Sequence, residues 1–103
     1  MKPFLYRLLP PRPNFPQDMT PEEAAIMQAH GVYLRGLAAK GEALAFGPVL
    51  DPKGAWGVGI FQVASAERMD EIARNDPAIL SGRGFAYEVL PMAAVVTRAD
   101  ATN

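Results

Sequence analysis

A chain of 103 residues, half of them apolar and 20% charged, has room for one folded domain around one core. Its net charge of −1, with ten Lys and Arg spread against eleven acids, offers no basic face for nucleic acid or an anionic membrane surface, and no apolar run approaches the roughly 20 residues of a membrane helix. Zero cysteines exclude a disulfide framework and a thiolate zinc site, and a single histidine excludes a His-rich metal site. The expected setting is the reducing cytoplasm, with no metal and no cofactor.

Phe4 to Leu9 is a short apolar and aromatic run between Pro3 and Pro10, and reads as a first strand. The start of the chain is too short and too Pro-broken to read as a signal peptide. Four prolines between Pro10 and Pro16 make a stiff, irregular connection. Thr20-Pro21-Glu22-Glu23 then predicts a helix start, with Thr20 as N-cap, proline where its missing N–H does no harm, and Glu23 closing a capping box. The helix is expected to run to about Lys40 and to stop at Gly41. At 100° per residue Ile26, Tyr33, Leu34 and Leu37 share one arc, His30 falls in its middle, and Arg35 lies mostly elsewhere.

Glu42 to Leu50 and Ala55 to Val63 read as a hairpin about the turn Asp51-Pro52-Lys53-Gly54, with Gly57 and Gly59 marking a bulge or a close backbone approach. Ser65 caps a second helix to about Asn75, which buries Met69, Ile72 and Ala73. Asn75-Asp76-Pro77 ends it, and Pro77 to Leu80 can add one turn. Phe85 to Leu90 is a fourth strand, Met92 to Thr97 an expected extended edge, and 98–103 an expected flexible tail after a domain spanning 1–97. The order β-α-β-β-α-β is the ferredoxin-like α+β pattern, a four-stranded antiparallel sheet with two helices on one face. The other face is then bare and apolar, so two copies placed face to face are expected.

His30 is the candidate for chemistry. Burial favours a neutral imidazole able to accept a proton near neutral pH, although a core histidine bonded to backbone fits the same position. Asp51 is either a turn former or the carboxylate that orients His30 and fixes its tautomer. Asp76 ends a helix. Arg83, in Ser81-Gly82-Arg83-Gly84, can meet a substrate anion or stay solvated, and the loop lacks the length and the Lys-Ser/Thr of a phosphate-binding loop. Trp56 and Phe61 can stack on a ring or pack in the sheet.

Taken in order, these pieces resemble the YCII-related (YciI-like) family of the dimeric α+β barrel superfamily. The resemblance spans about Phe4 to Met92. It rests on His30 with Gly41 eleven residues later, on Gly47-Pro48 with Asp51 after it, on Ala64-Ser65-Ala66-Glu67 leading through Ile72-Ala73 to Asn75-Asp76-Pro77, and on Glu88-Val89-Leu90-Pro91. It implies a His–Asp pair landing on His30 and Asp51 as catalytic residues, and its second-helix Asp-Pro lands on Asp76 and Pro77; beside these, Arg83, Trp56 and Asp76 are the expected substrate contacts. Three positions depart from the pattern: Met27, where relatives often carry arginine; Ala78, where an aromatic is usual; and Met92 in place of phenylalanine. The implied activity is cofactor-free acid–base elimination or isomerisation of a small, hydroxylated aromatic substrate by a homodimer. The alternatives are a non-catalytic small-molecule-binding or regulatory homodimer and a structural interaction module.

Overall fold

The computed structural model describes residues 1–101. In chain order it contains β1 (Lys2–Leu9), α1 (Pro21–Ala39), β2 (Ala43–Val49), β3 (Trp56–Val63), α2 (Ala66–Arg74), α3 (Pro77–Leu80), β4 (Ala86–Pro91) and α4 (Arg98–Ala101). The four strands form one antiparallel sheet in the order β2-β3-β1-β4. This is the ferredoxin-like arrangement that the order of elements predicts.

Local chemistry sets the ends of α1. Thr20 Oγ1 accepts the Glu23 N–H at 3.1 Å while Glu23 Oε1 accepts the Thr20 N–H at 3.0 Å, so the capping box closes in both directions. At the other end Gly41, at φ 82°, turns the chain out of the helix. Its N–H bonds Ala38 O at 3.0 Å and the Glu42 N–H bonds Leu37 O at 2.9 Å, which satisfies carbonyls the helix leaves open. A side chain at position 41 would be strained there.

Alternation on the strands builds the core. Phe4, Tyr6 and Leu8 on β1 are buried on the face shared with Phe61 and Val63 of β3. Leu34 and Leu37 from α1, with Met69, Ile72 and Ala73 from α2, cover that face. Tyr6 and Phe61 meet edge to face, with ring centroids 6.0 Å apart at 89°. Gly59 opposes Tyr6 in the ladder, and a Cβ there would stand 2.9 Å from Cε1 of the fully buried Phe61 ring. The glycines of β3 thus mark a close approach. The irregularity in the hairpin lies on β2, between Ala43 and Ala45.

β4 pairs with β1 only as far as Pro91, opposite Phe4. One further bond, Met92 N–H to Pro3 O at 3.0 Å, ends the pairing. The extended edge expected over Met92 to Thr97 is not a strand, because β1 begins at Lys2 and leaves those residues nothing to pair with. The expected tail at 98–103 includes the single turn of α4, and residues 102 and 103 lie outside the described residues. No helix among the described residues is long and apolar enough to cross a membrane.

The opposite sheet face carries Leu5 of β1, Val58 and Ile60 of β3, and Leu90 of β4, which is 50% exposed. Among the described residues, this face lies opposite the one on which α1 and α2 pack. Arg7 crosses this face, where it reaches Glu88 at 2.7 Å and lies 4.3 Å from the Trp56 ring centroid.

Candidate functional site

Three elements converge on one carboxylate. Asp76 caps α3, with its Oδ1 accepting the Ala78 N–H at 2.9 Å. β1 sends the Tyr6 hydroxyl to Asp76 Oδ2 at 2.7 Å. α1 sends His30 Nδ1 to both oxygens, at 2.9 and 2.8 Å. The Asp76 side chain is 0% exposed and that of His30 is 12% exposed.

The arrangement follows from what each residue lacks by itself. A tyrosine on the core side of a strand must find a partner for its hydroxyl, and Asp76 is that partner. Burial, and then the Asp76 charge, push the Tyr6 phenol well above its ordinary range, so it stays protonated and donates. A buried carboxylate in turn needs donors, and it receives them from a phenol, a backbone N–H and an imidazole N–H. Because Nδ1 faces an acceptor, it carries the ring proton, and in the neutral ring the free lone pair lies on Nε2.

The sequence reading paired His30 with Asp51. In the structure the carboxylate on His30 is that of Asp76. Asp51 holds its own turn through the Lys53 N–H at 2.9 Å and receives the Trp56 indole N–H at 3.1 Å. Those two bonds, in that order, hold its carboxyl below the usual range. Trp56 borders a pocket beside His30 at the start of β3, but its ring lies beside Arg7 on the other face of the sheet, and that is where Asp51 holds it. Arg83 forms an exposed ion pair with Glu22 away from the pocket lining. Asp76, read as a ligand contact, is fully enclosed and touches His30 and Tyr6. Sequence reasoning missed Tyr6. The available signal was a lone polar atom in the alternation Phe4, Tyr6, Leu8, all three on the helix side of β1.

The pocket measures about 440 Å³ and lies between α1 and the β2–β3 end of the sheet. Phe46 and Phe85 give it aromatic walls, and Met27 and His30 line it from α1. The proline-rich segment after β1 closes one side with Phe15, Pro16 and Met19. Phe15 meets Phe85 edge to face at 5.5 Å. Arg12 pins this segment down. It donates to Asp18 at 2.8 Å and to both oxygens of the buried Glu23, at 2.7 and 2.6 Å. Among the described residues no three His, Asp or Glu side chains converge as a metal site would need.

The YCII-related domain model matches residues 5–93. No curated protein matches the chain. Among solved structures the chain is similar to the 5-chloro-2-hydroxyhydroquinone dehydrochlorinase TftG from Burkholderia phenoliruptrix AC1100, solved with 2,5-dihydroxybenzoquinone. The match has a TM-score of 0.66 at 21% identity and covers 97% of this chain and 99% of that one.

The latch on the pocket segment has a pH signature. Hydrogen bonds from Arg12, and then the Thr20 N–H, hold the Glu23 carboxyl down to about 2 from an ordinary 4.5, against the opposing effect of burial. A carboxyl lowered by folding stabilises the fold above its unfolded value and loses that contribution as pH falls through the folded value. Urea unfolding across this range is expected to show Arg12→Ala less stable than the parent at neutral pH. The gap should narrow as pH falls from 4.5 to about 2. A gap independent of pH would remove Glu23 from the latch.

Proposed function

The chain belongs to the YCII-related family, and from that premise we propose that it is an acid–base enzyme acting on a small hydroxylated ring, with His30 as the base and Asp76 as its orienting carboxylate. The observation that carries this reading is the His30–Asp76 contact at the wall of an aromatic pocket. Nδ1 is committed to Asp76, so Nε2 is the nitrogen available to take a proton. The imidazolium that forms stays beside a buried negative charge, which stabilises it without further rearrangement.

Removing a ring hydroxyl proton turns the oxygen into a carbonyl and pushes an electron pair into the ring. That pair can capture a proton at carbon, an isomerisation. In a ring tautomer with a leaving group on an sp³ carbon, it can instead form a C=C bond to that carbon while the pair of the broken carbon–leaving-group bond departs with the anion, an elimination. His30 returns its proton in the first case and releases it to solvent in the second, so the chain's own side chains supply the proton transfers. The dehydrochlorinase with the similar fold, named for a chlorinated hydroxyhydroquinone, supports elimination as the first reaction to assay.

The working form is proposed to be a homodimer joined through the bare sheet face. Supporting this are the partly exposed Leu5, Val58 and Ile60, the 50% exposed Leu90, and the buried Nε of Arg7, which has no hydrogen-bond partner among the described residues. A second copy covers the apolar surface and can supply the missing acceptor.

Turnover of halogenated hydroxyhydroquinones, read by halide release and quinone absorbance, tests the chemistry. His30→Ala is expected to lose about 10²–10⁴-fold in kcat, the usual share of a general base. Activity unchanged in that variant would take His30 out of the mechanism, and ligand binding without turnover in the parent would make the pocket a receptor site. Sedimentation equilibrium tests the dimer. Leu90→Glu adds two buried charges across a two-fold interface but little strain to a half-exposed position of the monomer, so it should shift the protein to monomers. A parent that is monomeric, or a variant that stays dimeric, contradicts the face-to-face assembly.

A further inference from the structure

The pocket contains a positive charge that the proposed proton transfer does not use. Arg35 lines it from α1, five residues after His30. Its side chain runs back along the helix, as helical side chains do, so that Nη1 lies 3.5 Å from where a Cβ on Gly31 would stand. Gly31 also lines the pocket. A glycine there weakens the helix interior, and its bare backbone leaves room for the guanidinium to lie along α1 over Gly31.

The other arginines of β1, the proline-rich segment, α2 and the loop before β4 are all engaged. Arg7 holds Glu88, Arg12 holds Asp18 and Glu23, Arg68 holds Glu42 and Glu71, Arg74 holds Asp70, and Arg83 holds Glu22. Among the described residues no hydrogen bond or ion pair engages Arg35, and no acid lines the pocket. Arg35 is exposed, and its guanidinium, at a mostly apolar wall, has its charge uncompensated by the protein.

We infer that Arg35 is the specificity-determining residue of this pocket and that it anchors a carboxylate on the ring whose hydroxyl faces His30. The ligand class is therefore a hydroxylated aromatic or ring-tautomer carboxylate. One planar fork of N–H donors matches one carboxylate in a two-point contact, whereas a phosphate calls for several converging donors that this wall does not have. The aromatic walls take the ring, His30 takes the hydroxyl end and Arg35 takes the anionic end. The inference rests on the proposed function only in placing the substrate in this pocket beside His30.

Calorimetric titration with 3,4-dihydroxybenzoate and with 3,4-dihydroxybenzamide separates charge from shape, because the two rings have nearly the same size. The parent protein is expected to bind the carboxylate about tenfold more tightly, with the advantage shrinking as salt rises. Arg35→Met should remove the preference and leave amide binding in place, and Arg35→Lys should restore part of it. Equal affinities in the parent, or a preference that survives Arg35→Met, overturns the anchor while leaving the pocket reading intact. Failure of both ligands to bind overturns the pocket reading and the anchor together.

Discussion

A carboxylate with no access to water is the constraint around which this small domain is arranged. Asp76 is fully enclosed, and a buried carboxylate without partners is among the costliest groups a fold can contain. Its partners come from β1, α1 and its own helix start at α3, so satisfying it fixes how α1 lies over the sheet and where α3 docks. The same bonds that make Asp76 tolerable orient the imidazole. Fold stability and candidate chemistry therefore share one network, and removing the acid leaves a phenol, a backbone N–H and an imidazole all short of an acceptor.

The elements were legible because local signals agreed with one another. Thr20 to Glu23 marks the start of α1, Gly41 its end, and Ser65 the start of α2, and each of these caps forms as its residue types require. His30 was legible for a related reason, as the one polar residue centred on an apolar helix face. Its partner was not. Asp51 and Asp76 both precede a proline and both end an element, so nothing local separates them. What separates them is that α3 packs against α1, which brings Asp76 under His30, while the β2–β3 turn directs Asp51 to Trp56. Tyr6 is tied to Asp76 across 70 positions of sequence, and Arg35 reaches the pocket only because its long side chain folds back over Gly31. Contacts of this range depend on packing, which periodicity does not report.

The pocket extends the same economy of residues. A domain of 103 residues has little interior to spare, and this one makes its cavity at the rim, between one helix, the end of the hairpin and a proline-rich segment held by Arg12. Prolines stiffen that segment before it packs, so little ordering remains when Phe15 closes against Phe85. Membership of the YCII-related family accounts for the fold. The chemistry has to be argued from the residues that line this particular cavity.

The state of the His30 ring tests the account most directly. Nitrogen-15 NMR of the single histidine, recorded on the parent and on Asp76→Asn with the ring neutral, reports which nitrogen carries the proton. The account predicts one tautomer in the parent, protonated at Nδ1 and bare at Nε2, and a mixture of tautomers once the carboxylate is gone. A parent ring protonated at Nε2, or a tautomer ratio that Asp76→Asn leaves unchanged, would contradict it.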